Sequence, residues 1–371
     1  MTTRRDFIKR SASGVLLLRG GTMPALEALA PAGRSLDILV LGGTGFIGPH
    51  LVRHAVARGH RVTIFTRGRQ AAELPDAVVR LQGDRNGQLD SLKNKKWDAV
   101  IDDSATNPEW VRLSTELLAE AVGAYMFTSS TGVYYPYLTR GVDERTAVHT
   151  EPTDPKDGSE AYGVAKAKCE AQVMKVFGGR GIVMRPTYIV GPGDTTDRFP
   201  YWPVRLMRGG EVLAPGHADD PMQLIDVRDL VEFMTHVLET EARGIYNVAG
   251  PKEPLAARRF YEAAASALDT NVHYTFVDDY DFLAAHKIDV AIPWALLTGN
   301  DYGMMSVKND RAIDAGLAFR PLATTVRDTA AWWPTVPEAR RNHPRFAISP
   351  ETEASALADW HARTRRGPSL R

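Results

Sequence analysis

This sequence is short of the features that mark several classes of protein. Cys169 is the single cysteine, so no internal disulfide can form, and we expect it to pack as a small side chain on a helix. The 45 basic and 45 acidic residues leave no formal net charge, which argues against nucleic acid as the main partner. The 10 histidines lack the spacing of metal ligands, so no metal is predicted. No stretch reaches the about 18 consecutive apolar residues that span a bilayer, so no stable membrane span is predicted.

Residues 1–33 have the pattern of a leader. The run Thr3-Arg4-Arg5-Asp6-Phe7-Ile8-Lys9 matches the twin-arginine export signal, and a short apolar stretch and small residues suited to cleavage follow it. Arg19 interrupts the apolar stretch, so a disordered basic leader on a cytoplasmic protein is the alternative. We expect export to the periplasm through the twin-arginine pathway.

The body of the chain alternates strands with helices. Hydrophobic residues make up 44 % of the 371 positions, which is ordinary for a globular protein. Short apolar runs predict strands at 37–41, 61–65, 77–82, 98–102, 124–128 and 181–185. Helical patterns lie at 46–58, 109–121 and 160–177. This alternation predicts an α/β fold of Rossmann type, a doubly wound parallel sheet with helices on both faces.

The regular alternation of strands and helices ends after residue 190. Prolines and glycines cluster up to residue 221, and Asp226 then stands where the N-cap of a helix belongs. Further helices are predicted at 256–268, 309–315 and 324–333. We therefore predict a Rossmann domain and a smaller, mixed C-terminal substrate region. The first comprises residues 34–190, with 222–250 returning to it, and the second comprises 191–221 and 251–371.

A glycine-rich turn joins the first strand to the first helix, with the sequence Gly42-Gly43-Thr44-Gly45-Phe46-Ile47-Gly48. Of its glycines, Gly42, Gly45 and Gly48 meet three needs: a tight turn with positive φ, close approach of a pyrophosphate, and tight packing of helix on strand. Phe46 and Ile47 open the helix, whose free N–H groups point at the phosphates. The turn predicts a dinucleotide site.

The residues after the second and third strands favour NADP over NAD. An NAD enzyme usually carries a carboxylate after the second strand, whereas this chain has Arg67 and Arg69 there, and a guanidinium can grip a 2′-phosphate. Two solvated surface arginines are the alternative. Asp84, followed by Arg85, is placed to accept a hydrogen bond from the adenine amino group, and a plain turn residue is the alternative reading.

Three residues form a candidate catalytic group. Tyr162 and Lys166 are four residues apart on a predicted helix, so they share a face, and a nearby ammonium is expected to lower the pKa of the phenol. Ser130 ends the fifth strand, at the sheet edge where ligands bind. A hydroxyl there can polarise a substrate oxygen while the tyrosine transfers a proton.

With these motifs the chain resembles the extended short-chain dehydrogenase/reductase family, the NAD-dependent epimerases and dehydratases. The resemblance covers about residues 35–250 and includes Arg185-Pro186-Thr187 and the Asp226-Val227-Arg228-Asp229-Leu230 run. It implies that Tyr162 is the general acid/base, that Lys166 holds the nicotinamide ribose, and that Ser130 orients the reacting oxygen. Ser104 and Pro186 are expected to line the cofactor. The family often forms homodimers through the tyrosine–lysine helix, and residues 60–68 are similar to its chloroplast stem-loop-binding branch, some members of which bind RNA.

Two departures from the family pattern concern the substrate. Nucleotide-sugar enzymes typically carry an Asn where this chain has Tyr188, and a diphosphate-binding Arg where it has Met222. A thioether cannot replace a bidentate guanidinium. A nearby arginine could substitute, the candidates being Arg205, Arg208 and Arg228. The simpler interpretation is a sugar-like substrate without a nucleotide.

Several polar residues have two readings. Asp102 and Asp103 end the fourth strand, either near the nicotinamide or as a hydrogen-bonded turn pair. A group of tyrosines after Ser130 is expected to line the pocket mouth or to be half-buried: Tyr134, Tyr135 and Tyr137.

Three functions are carried forward. The first is an exported, redox-neutral epimerase or dehydratase with tightly bound NADP. The second is a cytoplasmic NADPH-dependent carbonyl reductase. The third is a non-catalytic RNA- or cofactor-sensing protein, which the intact catalytic group and the zero net charge oppose.

Overall fold

The structure is a computed structural model that describes residues 33–103, 105–154 and 156–365. Its strands, β1 to β14 in chain order, are Asp37–Leu41, Arg61–Thr66, Val79–Gln82, Trp97–Asp102, Val122–Thr128, Gly181–Pro186, Ile189–Val190, Gly210–Pro215, Pro221–Asp226, Gly244–Val248, Gly250–Ala256, Val272–Val277, Val290–Ala291 and Trp294–Ala295. Its α-helices, α1 to α11, are Ile47–Ala57, Pro108–Leu118, Gly158–Phe177, Tyr201–Leu206, Val227–Glu239, Ala257–Ala267, Tyr280–Ala285, Asp310–Asp314, Leu322–Trp332, Glu338–Asn342 and Pro350–Arg365. The predicted twin-arginine motif and Ser104 lie outside the described residues.

Seven strands form one parallel sheet, in the order β10-β6-β5-β4-β1-β2-β3. The chain runs outward from β1 through β2 to β3, then returns to the other side of β1 at β4. This reversal makes the carboxyl ends of β1 and β4 a topological switch point, where α/β folds bind their ligands. The predicted fold class is confirmed.

Alternate side chains of the sheet enter separate cores on its two faces. From β1, Ile38 and Val40 pack with residues of α1 and α5, while Leu39 and Leu41 face the opposite core. Cys169 of α3 is a buried free thiol within that second core. Burial on both faces is why these strands read as continuous apolar runs in the sequence.

A separate aromatic core holds much of the remaining chain together. It forms around Trp202, Phe260, Tyr261 and Trp294, which are all buried, and it lies against the small sheet of β7, β9 and β11 and the parallel pair β8–β12. Strand β10 belongs to the large sheet, whereas β9 belongs to the small one. None of the helices in the described ranges is both long and apolar enough to cross a membrane.

Candidate active site

Two neighbouring cavities lie along the switch-point edge. The larger, of about 880 Å³, contacts Ser130, Tyr162 and Pro186. The smaller, of about 420 Å³, contacts Arg67, Arg69, Asp84 and Arg85 together with the glycine turn. Gly45 and Asp103 border both cavities, so a ligand that fills the two must pass these residues.

The glycines of the turn have different structural roles. Gly42 has φ of 122°, and its N–H donates to Phe65 O at 3.0 Å, which extends the β1–β2 pairing by one residue at the start of the turn. At Gly48, the second position of α1, an added Cβ would lie 2.3 Å from the Gly43 carbonyl carbon, so only glycine lets the helix approach the strand this closely. At Gly45 an added Cβ would meet nothing within 4 Å, although the residue borders both cavities.

These differences predict opposite outcomes for two similar substitutions. We expect Gly48→Ala to destabilise the fold by about 1–3 kcal/mol or more, because the methyl group overpacks a backbone contact. Gly45→Ala should leave the unfolding free energy nearly unchanged but weaken dinucleotide binding, because its methyl group enters the space where a pyrophosphate must approach. Urea unfolding and cofactor titration of both variants test the pair. Equal destabilisation by the two would contradict it.

In the smaller cavity, the predicted residues have different surroundings. Arg67 and Arg69 are exposed, and neither guanidinium has an ion-pair partner among the described residues. Asp84 accepts a hydrogen bond from Asn86 N at 2.9 Å, which makes it a turn residue as well as a cavity wall. Arg85 makes a bidentate pair with Asp102, at 2.6 and 2.5 Å. Its guanidinium therefore stabilises the end of β4 and is not available to bind a phosphate.

Ser130 and Tyr162 come together at the wall of the larger cavity. Ser130 follows β5 and caps a short turn, with Oγ accepting from Gly132 N at 3.0 Å. A Cβ added at Gly132 would lie 3.2 Å from both Ser130 Oγ and Tyr162 Cε1, so the glycine leaves room for these side chains to approach each other. The carboxylate of Asp157 caps the start of helix α3, which presents Tyr162 about one turn later.

Lys166 lies behind the tyrosine and is only 4 % exposed. Its ammonium donates to Thr128 O at 2.7 Å, lies 6.0 Å from the centre of the Tyr162 ring, and is outside the lining of the larger cavity. The helix therefore brings the two residues to one face, as their spacing predicts, and places the lysine one layer deeper than the phenol.

The electrostatics of Tyr162 differ from the sequence-based expectation. Desolvation raises the pKa of its phenol above the usual value, although 43 % of the residue is exposed, and Ser130 and Arg198 offset part of that rise. The shift in the pKa of Tyr162 comes from desolvation, Ser130 and Arg198, whereas the Lys166 ammonium donates to a backbone carbonyl. The phenol is therefore protonated at neutral pH and ready to donate a proton.

A buried ion pair supports the end of β5 from below. Arg185 donates to both carboxylate oxygens of Glu170, at 2.9 and 2.6 Å, and to Tyr134 Oη at 2.7 Å. Ser129 Oγ donates to the same carboxylate at 2.5 Å. This network fixes the backbone directly before Ser130. Tyr134 therefore belongs to the buried interior rather than to the pocket mouth.

Removal of Arg185 should destabilise the protein. Arg185→Met leaves Glu170 charged and unpaired in the interior, and we expect the unfolding free energy to fall by about 3–5 kcal/mol. Arg112→Met is the matched control, because Arg112 pairs with two glutamates on an exposed helix face and its loss should have little effect. Chemical denaturation of both variants measures the difference. A similar stability of the two variants would contradict the structural role of the pair.

The rest of the larger cavity is aromatic and acidic. Tyr135, Tyr137 and Tyr188 lie in its wall. Its charged side chains are Asp103, Asp289, Asp301 and Arg198. Three carboxylates thus face one guanidinium, and Arg198 already packs over Tyr188, 5.7 Å from the ring centre.

None of the residues considered as a diphosphate clamp borders this cavity. Met222 is fully buried in the aromatic core. Arg205 is paired with Glu353 of α11, and Arg228 with Asp226 and Asp328. Arg208 is outside the lining of the larger cavity. Sequence reasoning missed Arg198, Asp289 and Asp301, because they lie outside the strands and α-helices, in segments without a periodic pattern or a motif.

The two cavities fit a dinucleotide. The turn leaves an open approach at Gly45. Among the residues that the structure describes, Arg67 and Arg69 at the smaller cavity have no ion-pair partner, and the buried Oδ1 of Asp103 has no hydrogen-bond partner. No group of three or more potential metal ligands is found within the described ranges.

Comparison with known proteins agrees with this architecture. The chain is 32 % identical over 234 residues to the chloroplast stem-loop binding protein of 41 kDa b from Arabidopsis thaliana, and the match spans 58 % of this chain and 59 % of that protein, less than two thirds of its length. It is 26 % identical over 267 residues to 2′-dehydrokanamycin reductase of Streptomyces kanamyceticus, covering 69 % and 73 % of the two chains.

Among solved structures, UDP-N-acetylglucosamine 4-epimerase from Methanobrevibacter ruminantium M1 shares the fold, with a TM-score of 0.62 at 16 % identity over 81 % of this chain and 99 % of that one. The sequence pattern of the NAD dependent epimerase/dehydratase family matches residues 38–249, which include the glycine turn, Ser130, Tyr162 and Lys166. More than half of the chain is covered, and the chain belongs to the NAD dependent epimerase/dehydratase family.

Proposed function

We propose that this protein is an NADP-dependent oxidoreductase of the epimerase/dehydratase type that acts on a hydroxyl or carbonyl group of a sugar-like substrate without a nucleotide. The observation that carries the proposal is the position of Ser130 and Tyr162 in a cavity that continues, past Gly45 and Asp103, into a second cavity bordered by the glycine turn.

The catalytic residues divide the work on the substrate oxygen. The Tyr162 phenol is protonated at neutral pH, as tyrosine ordinarily is, so it can donate its proton to a carbonyl oxygen and take one back from a hydroxyl in the reverse direction. The Ser130 hydroxyl polarises the same oxygen. Lys166 anchors the helix to Thr128 and places positive charge below the tyrosine. NADP, when bound, supplies reversible hydride transfer.

The phosphate state of the cofactor is proposed from the smaller cavity. Arg67 and Arg69 border it without an ion-pair partner in the described part of the chain, and the segment directly after β2 offers no carboxylate that would repel a 2′-phosphate. Gly42, Gly45 and Gly48 shape the turn for the pyrophosphate, and Phe46 and Ile47 start the helix beside it. Pro186 borders the larger cavity, on the nicotinamide side.

A substrate without a nucleotide is supported by the charge of the larger cavity. A diphosphate carries two negative charges, and Asp103, Asp289 and Asp301 would oppose it while only Arg198 could pair with it. The tyrosines of the wall suit the apolar faces and hydroxyl groups of a sugar or polyol.

We further propose that the protein is exported with NADP already bound, on the basis of the twin-arginine motif. A cofactor that does not exchange must be restored within each turnover, which favours redox-neutral chemistry such as epimerisation or elimination. Mass spectrometry of protein purified from its native compartment tests both points through the mature N-terminus and any retained nucleotide. A full-length, cofactor-free protein that binds NADP only at micromolar or weaker affinity would contradict this version of the function.

An NADPH-dependent carbonyl reductase is the second candidate. It is favoured by the similarity to a protein named as a reductase. Net oxidation of added NADPH in the presence of ketone substrates would distinguish it from the redox-neutral enzyme.

A further inference from the structure

Asp103 is an acidic side chain whose burial is only partly compensated by the described residues. It is 4 % exposed, and its Oδ1 atom has no hydrogen-bond partner among them. Its Oδ2 atom accepts only a long bond from Gly43 N, at 3.4 Å. A buried carboxylate oxygen without a donor is costly, so a group that the protein itself does not supply is expected to face it.

The charged groups around Asp103 are occupied elsewhere. Asp102, the preceding residue, is satisfied by Arg85 and by the Tyr125 hydroxyl, which donates at 2.8 Å. The Lys166 ammonium contributes favourable charge, but it donates to Thr128 O. Neither cation makes a salt bridge with Asp103 within the described part of the chain.

The position of Asp103 relates it to the dinucleotide. Its N–H donates to Leu41 O at 3.3 Å, which extends the β4–β1 pairing by one residue and sets the side chain under the glycine turn. It borders both cavities, so a molecule that reaches from Arg67 and Arg69 to Tyr162 must pass beside it.

We propose that Asp103 is a cofactor ligand whose free carboxylate oxygen accepts a hydrogen bond from a hydroxyl of the ribose next to the nicotinamide. This inference rests on the proposed cofactor site. That ribose has two free hydroxyl groups, whereas the 2′-hydroxyl of the adenosine ribose in NADP carries the phosphate. The positive charge of Lys166, below Tyr162, acts on Asp103 from the nicotinamide side.

The ionisation state of Asp103 favours the ribose over the diphosphate as its hydrogen-bond partner. Burial raises the pKa of Asp103 to about 6, so the carboxylate is mainly ionised at neutral pH. An ionised carboxylate accepts hydrogen bonds but cannot donate one, and it repels phosphate oxygens. A hydroxyl group, which can donate a hydrogen bond, is therefore a suitable partner for the Asp103 carboxylate.

The inference is tested with Asp103→Asn and two ligands. NADPH contains the nicotinamide ribose, and adenosine 2′,5′-bisphosphate does not. We expect the Kd of NADPH, measured by fluorescence titration, to rise about tenfold because a charge-assisted hydrogen bond is lost. The affinity for adenosine 2′,5′-bisphosphate, measured by calorimetry, should stay unchanged. Asp90→Asn is the charge-matched control, because the side chain of Asp90 is 83 % exposed and lines neither cavity.

Thermal unfolding of the ligand-free protein gives a readout that is independent of binding. Asp103→Asn removes a buried unpaired charge, so its Tm should equal or exceed that of the wild type, which would also show that the variant folds. Unchanged or tighter NADPH binding would overturn the inference, and so would equal weakening of both ligands, which indicates a disturbed glycine turn. Failure of the wild type to bind either ligand would instead refute the proposed cofactor site, and this inference with it.

Discussion

Replacement of Tyr162 by Phe should reduce turnover by about 10²–10⁴-fold while cofactor binding and stability remain at the wild-type level. The variant removes one oxygen from a ring that is 43 % exposed, so little packing is lost. What disappears is the proton donor, because the phenol is protonated at neutral pH. The measurement is the change in NADPH fluorescence when NADPH-loaded protein is mixed with keto sugars, the direction in which the phenol donates its proton.

The control for this variant is Tyr302→Phe. Tyr302 is exposed to a similar extent, at 45 %, packs against Arg140, and is outside the lining of the larger cavity. It should keep full activity. If Tyr162→Phe also kept its activity, Tyr162 would not be the proton donor, and a binding or sensing role of the fold would then be favoured.

The parts of the structure that the sequence predicts are those with local causes. The strand expected at 37–41 is β1 itself, since an apolar run between polar ends can be buried on both faces only in a central strand. Asp226 caps α5 as expected, accepting from Arg228 N at 2.8 Å, because an N-cap depends on residues only two positions apart. The glycine turn likewise depends on neighbours in sequence.

Contacts between segments that are far apart in the sequence could not be predicted from the sequence pattern. The parallel pairing of β8 with β12 and the final helix α11 were missed, because α11 is held by Glu353 reaching Arg205 across 148 residues rather than by a broad apolar face. The commitment of Arg85 to Asp102 and the desolvation of Tyr162 are also properties of the packed interior. The spacing of motifs in the sequence identified the candidate residues. Only the packing shows which of their side chains are available to contact a ligand.

Charge removal at the end of β2 should change the choice of cofactor. We expect Arg67→Ala combined with Arg69→Ala to weaken NADP binding about 100-fold, from two charge-assisted hydrogen bonds worth at least about 1.4 kcal/mol each, with NAD binding unchanged. Both side chains border the smaller cavity, are exposed, and lack ion-pair partners in the described chain, so their loss should not disturb the fold. Titration of each variant with both nucleotides gives the ratio directly.

The comparison with NAD makes the prediction specific to the 2′-phosphate. Arg80→Ala is the control, because Arg80 is an exposed arginine of the neighbouring strand β3 that lies outside the cavity lining, and it should alter neither affinity. An equal loss of NADP and NAD binding would mean that the two arginines shape the turn rather than read the phosphate. No loss at all would mean that they are solvated surface side chains. Only a selective loss of NADP binding identifies this end of the cavity as the place where the cofactor is chosen.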